Sequence, residues 1–212
     1  MKFFIDSANI TEIEELIDSN MVDGVTTNPT LIAKEGGNLE VIISNIASLI
    51  SGPVSAEVTT NDYDGMIDEG LDLSKIAKNV VVKLPVTWDG VRACKYLRSR
   101  NVMVNMTLCF STAQSLIAAK AGASFISPFI GRLDDISSNG MQLIRDIKLI
   151  YNNYSLPTEI LVASIRNHQQ ITDAAKIGAD IVTIPPFLLR SLINHPLTDI
   201  GLAKFMKDAS RG

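Results

Sequence analysis

Lys83 lies in the run Val80-Val81-Val82-Lys83-Leu84-Pro85, a cation near the end of an otherwise apolar stretch. Consecutive β-branched residues read as a short strand buried on both faces, as in a parallel sheet, and Pro85 ends it because it has no N–H for a ladder. Burial disfavours the charged form of an amine, so a neutral, nucleophilic fraction becomes available for Schiff-base chemistry with a carbonyl compound. Taken alone, the hexapeptide better suits a lysine that snorkels to solvent or guards a sheet edge. The other strand ends tip the balance. Asp6, Thr26 and Asn28, Glu57, Asn105 and Thr107, Ser127, and Ser164 with Arg166 each follow or close an apolar run. If those ends converge on one mouth, a lysine flanked by carboxylates and small polar groups forms a carbonyl site.

The elements that must bring them together alternate regularly. Strands are expected at Phe3-Phe4-Ile5, from Gly24, from Val54, at the Lys83 run, over Val102 to Met106, over Ser124 to Pro128, over Glu159 to Ala163, and over Ile181 to Ile184. Helical periodicity follows each in turn, with Asn9, Asp62 and Ser111 as caps and Gly122 and Gly178 as stops. Asn139, Asn167 and His168 read as loop or cap residues. A last amphipathic helix spans about 197–208. Eight strand–helix units in 212 residues average about 26 residues each, which specifies an α/β fold, a (β/α)8 TIM barrel with an additional C-terminal helix. Residues 1–212 form a single domain in this reading. A doubly wound open sheet is the competing architecture, but Asp6-Ser7-Ala8-Asn9 lacks the Gly-rich turn of its nucleotide-binding version.

Composition narrows the chemistry. Hydrophobic residues at 46% and charged residues at 20% describe an ordinary globular chain, and a net charge of −4 argues against nucleic acid as a main partner. His168 and His195 are too few and too far apart for a zinc site, and Cys94 and Cys109 form no metal-type spacing or disulfide framework. No metal and no cofactor is expected, which favours amine catalysis. The first six residues already include Asp6, so neither a signal peptide nor a membrane span is read there, and a cytoplasmic enzyme is expected.

Seven ordered segments carry a resemblance over essentially the whole chain. They are Phe4-Ile5-Asp6, Gly24 to Pro29, Ser55-Ala56-Glu57-Val58, Val82-Lys83-Leu84-Pro85, Asn105-Met106-Thr107-Leu108, Ser127 to Asp135, and Ala163-Ser164-Ile165-Arg166. With these the chain resembles the small transaldolases, a subfamily close to fructose-6-phosphate aldolase. The resemblance implies that Lys83 forms the Schiff base, that Asp6 handles the C4 hydroxyl proton, and that Glu57 and Thr107 hold a catalytic water. It places Asn28, Asn105 and Ser127 on the dihydroxyacetone part of the substrate and Arg132, Ser164 and Arg166 on the phosphate, with Thr26 and Phe129 also in the substrate site. It implies transfer of a dihydroxyacetone unit from sedoheptulose 7-phosphate to glyceraldehyde 3-phosphate, giving erythrose 4-phosphate and fructose 6-phosphate, within the pentose phosphate pathway. Sugar phosphates are then the partners, and a homo-oligomer, pentamer or decamer, is expected by the same resemblance.

Two rivals stay in view. Fructose-6-phosphate aldolase uses the same lysine but releases free dihydroxyacetone. That subfamily typically has glutamine at the position of Glu57 and tyrosine at that of Phe129, so both residues point to the transferase. A non-catalytic sugar-phosphate sensor has no need of Asp6, Glu57 and Lys83 together. Individually, Asp6 also suits a helix-entry acid, Asn28 before Pro29 a turn, and Arg132 with Asp134 and Asp135 a solvated salt-bridge patch.

Overall fold

The computed structural model describes residues 1–210. Eight parallel strands close into a barrel in sequence order: β1 (Lys2–Asp6), β2 (Gly24–Thr26), β3 (Val54–Glu57), β4 (Val80–Pro85), β5 (Val104–Cys109), β6 (Phe125–Pro128), β7 (Glu159–Val162) and β8 (Ile181–Ile184). β1 pairs with both β2 and β8, which closes the ring. The first helices are α1 (Ile10–Ile17), α2 (Pro29–Glu35), α3 (Leu39–Leu49), α4 (Tyr63–Ile76), α5 (Trp88–Arg98) and α6 (Thr112–Lys120). They are followed by α7 (Ile130–Asp135), α8 (Gly140–Asn153), α9 (His168–Ile177), α10 (Pro186–Ser191) and α11 (Pro196–Ala209).

Strand side chains alternate between the two faces of the barrel wall. Val80, Val82 and Leu84 point outward into the main core, together with Val104, Met106, Ile126, Ile160 and Val182. Ile5, Val25 and Val54 do the same against Ile13, Leu16 and Ile46 of α1 and α3. The inward positions of the lower barrel belong to Phe4, Val81, Phe125, Leu161 and Ile181, which form a separate buried cluster. Phe4 and Phe125 meet edge to face at 6.3 Å. Gly24 makes this plug possible, since a Cβ there would sit 2.6 Å from the Phe4 ring.

Two residues further along, the same inward face turns polar. Phe4 is followed by Asp6, Gly24 by Thr26, Val81 by Lys83, Phe125 by Ser127 and Ile181 by Thr183. The barrel is thus plugged below by apolar side chains and polar above, at the C-terminal ends of the strands, where barrels place their active sites.

Local caps hold the connections. Asn9, Asn28, Asp62, Thr87, Ser111, Asn139 and Asn167 each accept a backbone N–H from the first turn of the following helix. Each such bond stabilises its helix by about 1 kcal/mol. Gly178 closes α9 in the left-handed conformation, at φ 86°.

Three features depart from the sequence expectation. β5 begins at Val104 and runs on to Cys109, so Thr107 lies within the strand. Its register with β6 shifts between Met106 and Cys109, and Leu108 sits at φ 57°. The short helices α2 and α7, seven and six residues long, carry no periodic stripe long enough to read. The amphipathic α11 buries none of its residues, and Leu197, Ile200, Phe205 and Met206 are exposed.

Candidate active site

Lys83 is buried at the C-terminal end of β4, 4% exposed. Its Nζ donates to the backbone oxygen of Thr27 at 3.1 Å and pairs with Glu57 Oε2 at 2.8 Å. The pair follows from topology, because Glu57 and Lys83 are register partners on adjacent parallel strands. The loop that follows Glu57 is anchored to the next helix. Glu69 of α4 accepts the backbone N–H groups of Thr59 and Thr60 at 2.9 and 3.1 Å, pinning that loop to the helix.

Asp6 enters from the opposite side of the mouth. Its Oδ1 accepts the Thr26 hydroxyl at 2.8 Å, and Thr26 Oγ1 lies 2.6 Å from Thr183 Oγ1. Burial pushes the Asp6 carboxyl above its ordinary value, against the lowering pull of Lys83 and of the Thr26 hydrogen bond, while Glu57 pushes it further up. An acid so placed sits closer to neutrality than a surface carboxylate, which suits proton exchange with a substrate hydroxyl.

Between these groups lies a buried amide. Asn105 Nδ2 donates to Ser55 Oγ at 3.2 Å, and Asn105 Oδ1 accepts from Ser127 Oγ at 2.8 Å. Asn105 is the register partner of Lys83 on β5, so its side chain is held beside the amine. Thr107 Oγ1 is buried and has no hydrogen-bond partner among the described residues. An orphaned hydroxyl next to an amine site is a place where a small polar molecule can be bound.

A cavity of about 410 Å³ opens above them, lined by Asn28, Pro29, Thr30, Leu31, Glu57, Lys83, Leu108, Phe129 and Arg132. Phe129 packs edge to face on Phe110 at 6.0 Å, and the Arg132 guanidinium lies 5.1 Å from the Phe129 ring centre. Asn28 Oδ1 is committed to the Leu31 N–H as a cap, leaving its Nδ2 free for the cavity. Asn28 therefore both caps α2 and lines the cavity.

Ser164, at φ 60°, and Arg166 leave β7 beside α7. The approach is close: a Cβ on Gly131 would sit 2.1 Å from the Ser164 backbone oxygen and 2.6 Å from Arg166 Nε. Arg166 pairs with Asp135 at 3.0 Å, both partners more than half exposed. It lines a neighbouring open cleft with Asn167, His168, Gln169 and Leu188. The salt-bridge patch foreseen around Arg132 is therefore built on Arg166. Asp134 accepts instead from Gln170 Nε2 at 2.6 Å and the Gly140 N–H at 3.0 Å. Gln170 Oε1 in turn accepts the Arg166 N–H at 2.6 Å, tying the two arginine loops together.

The structure thus gathers Asn28, Glu57, Lys83, Phe129 and Arg132 around one cavity and sets Asp6, Thr26, Asn105, Thr107 and Ser127 in the barrel mouth. Ser164 and Arg166 stand to one side, across Gly131. Sequence reasoning missed Ser55, Thr183 and Gln170. Ser55 and Thr183 look like ordinary strand residues, and the one available signal was a hydroxyl on the inward parity of a strand. Among the described residues no group of three or more His, Cys, Asp or Glu side chains is placed to hold a metal ion. No helix among them is long and apolar enough to cross a membrane.

Residues 3–211 match the family model described as transaldolase/fructose-6-phosphate aldolase. The chain is 58% identical over 209 residues to a protein of Parvibaculum lavamentivorans named "Probable transaldolase", covering 98% of this chain and 96% of that one. Two proteins of the same name, from Ruegeria pomeroyi and Dinoroseobacter shibae, are each 57% identical over 208 residues, with the same coverage. Among solved structures, thiamine phosphate pyrophosphorylase from Pyrococcus furiosus superimposes with a TM-score of 0.60 at 13% identity, covering 87% of this chain and 85% of that one. That likeness concerns the barrel alone.

Proposed function

Since this chain belongs to the transaldolase/fructose-6-phosphate aldolase family, we propose that it is a transaldolase whose Lys83 carries a dihydroxyacetone unit between sugar phosphates. The observation that supports this most is the buried amine at the floor of the mouth cavity, paired with Glu57 at 2.8 Å.

Each step is assigned to a named group. Glu57 takes a proton from the Lys83 ammonium, and the freed amine attacks the ketose C2 carbonyl. The carbinolamine loses water, which Glu57 and Thr107 hold for the later hydrolysis, and a protonated imine results. That imine draws the electron pair of the C3–C4 bond while Asp6 accepts the proton of the C4 hydroxyl. The aldehyde leaves and an enamine stays on Lys83 until a second aldehyde arrives. Asn28, Asn105 and Ser127 hold the hydroxyls of the three-carbon unit. Arg132, Ser164 and Arg166 receive the phosphate, where guanidinium groups make charge-assisted hydrogen bonds. Arg166 must then exchange Asp135 for phosphate, a small cost for an exposed pair.

Transfer is favoured over release of free dihydroxyacetone because Phe129 presents an apolar ring to the cavity. Phosphorylated sugars as substrates support a cytoplasmic setting without nucleic acid or membrane partners. We read residues 1–212 as one barrel unit and the protein as a homo-oligomer, a reading supported by the exposed apolar side chains of α11.

The test is product analysis with fructose 6-phosphate, with and without erythrose 4-phosphate, combined with borohydride trapping. Sedoheptulose 7-phosphate should be the main product when the acceptor is present, and a three-carbon adduct should map to Lys83. Lys83→Met should lose both adduct and turnover. Free dihydroxyacetone as the main product would make the protein an aldolase, and an adduct elsewhere would remove Lys83 from the mechanism.

A further inference from the structure

Thr183 is a buried hydroxyl on β8 that the mechanism above does not use. It is 4% exposed, and its one side-chain hydrogen-bond partner among the described residues is Thr26 Oγ1, at 2.6 Å. Thr26 is 2% exposed and lies 2.8 Å from Asp6 Oδ1. The three side chains form a line from β8 through β2 to β1 in the barrel mouth.

The direction of that line follows from counting protons. A threonine hydroxyl has one hydrogen to give. Thr26 gives its hydrogen to the Asp6 carboxylate, which has none of its own when ionised. The short contact between the two threonines must then carry the hydrogen of Thr183. Thr26 is left with a single choice of acceptor, and its hydrogen is locked onto Oδ1. Asp6 Oδ2 makes no hydrogen bond among the described residues and remains as the free basic oxygen.

We propose that Thr183 is a positioning residue for the proton-transfer step, acting through Thr26 to reserve Asp6 Oδ1 as an acceptor and leave Oδ2 as the base. The proposal rests on the reading of Asp6 as the group that takes the C4 hydroxyl proton. In the cleavage direction the C3–C4 electron pair enters the imine and the C4 hydroxyl proton moves to Oδ2, leaving Asp6 neutral and the aldehyde free. Oδ1, now the carbonyl oxygen of the acid, still accepts from Thr26, so the chain need not reorganise. In the condensation direction the same proton returns to the new alkoxide. Linked hydrogen bonds also polarise one another, so the Thr183 donation strengthens the bond that Thr26 makes to the carboxylate. The charged groups that face Asp6 are Lys83 from β4, which favours its ionised form, and Glu57 from β3, which opposes it. Thr183 makes no hydrogen bond to either, so the loss of its hydroxyl should act on Asp6 through Thr26.

The experiment compares the natural protein with Thr183→Val, Thr183→Ala, Thr183→Ser and Asp6→Asn. It reads kcat and KM for fructose 6-phosphate with erythrose 4-phosphate, the pH profile of kcat/KM, and borohydride trapping of dihydroxyacetone on Lys83, which requires no C3–C4 cleavage. Thr183→Val should lower kcat by roughly 3- to 10-fold with KM nearly unchanged and move the acidic limb of kcat/KM to higher pH. Trapping should stay at the natural rate, and Thr183→Ser should restore both kcat and the limb. Thr183→Ala provides the same comparison if valine disturbs folding. Variants without the hydroxyl that keep the natural kcat and acidic limb, alongside an inactive Asp6→Asn, would overturn the relay while leaving Asp6 as the base. Equal losses in Thr183→Ser and Thr183→Val, or a parallel loss of trapping, would make Thr183 a structural residue only. An active Asp6→Asn would overturn the reading of Asp6, and the relay with it.

Discussion

Lys83 and Glu57 hold the same register position on neighbouring parallel strands, and their side chains close a buried ion pair of 2.8 Å. Only 5% and 14% of the two side chains are exposed, so solvent can replace little of either charge's partner. A buried pair of this kind depends on both members, since either charge alone would be left without its partner.

Removing one member should therefore cost more than removing both. Either single variant, Glu57→Gln or Lys83→Met, leaves a buried charge unpaired, and such a break typically costs about 3–5 kcal/mol. Lys83→Met/Glu57→Gln removes both charges with little change in volume and should recover most of that loss. Urea midpoints of the natural protein, the two single variants and the double variant form the cycle. Additive effects, within about 0.5 kcal/mol, would mean that the two charges are not coupled as their geometry implies.

Gly131 lets the loops carrying Arg132 and Arg166 approach each other by having no side chain. A Cβ there would meet the Ser164 backbone oxygen at 2.1 Å, which cannot be relieved by rotating a side chain. Gly131→Ala should push the Ser164–Arg166 loop away and raise KM for fructose 6-phosphate by roughly tenfold or more. Arg166→Ala should act in the same direction, by about 10- to 100-fold, as expected from losing a charged hydrogen bond worth about 1.5–3 kcal/mol. Both penalties should shrink for unphosphorylated fructose. Asp135→Asn frees Arg166 and should lower KM slightly. Equal losses for phosphorylated and unphosphorylated sugars would show that these residues do not select phosphate.

Asp6 carries a stability cost that depends on pH. Its carboxyl is held above the ordinary value mainly by burial, so the folded state binds its proton more tightly than the unfolded state does. At pH below the ordinary carboxylate value both states are protonated and there is no penalty. As pH rises through the interval up to the raised folded value, the unfolded state ionises first and stability falls; above that interval the penalty is complete. Asp6→Asn, which keeps an oxygen acceptor for Thr26, should thus be more stable than the natural protein at pH 7 and lose that advantage on acidification, while losing turnover. Thermal unfolding at several pH values checks this. An Asn variant less stable than the natural protein at pH 7 would mean that the attraction to Lys83 outweighs burial.

Phe129 lines the same cavity as Lys83, with its ring braced by Phe110 and overlain by Arg132. A hydroxyl added by Phe129→Tyr would bring a proton donor and an anchor for water toward the enamine. Release of free dihydroxyacetone from fructose 6-phosphate should rise at the expense of sedoheptulose 7-phosphate, and Glu57→Gln in the same chain should extend the change. A tenfold shift in partition corresponds to only about 1.4 kcal/mol between competing barriers. An unchanged product ratio with erythrose 4-phosphate present would place the control of transfer outside this cavity.

The eight strand–helix units, the caps at Asn9, Asp62 and Ser111, and the position of Lys83 at the end of an apolar run were all legible in the chain. These are local signals: β-branched runs, side-chain periodicity and turn residues act over a few neighbours. The strand-end residues could be named for the same reason, since parity along a strand is a property of sequence. What the sequence alone could not provide were the pairings across the barrel. Thr183 and Thr26 are 157 positions apart and touch because β1 pairs with both β2 and β8. Glu57 meets Lys83 through strand register, and Arg166 turns to Asp135 because Gly131 lets two loops approach. The helices α2 and α7 are too short to show a period; α2 starts on the Asn28 cap, whereas α7 has no side-chain cap at its start. Closing the barrel is a long-range event, and it alone decided which of the chemically capable residues face one another.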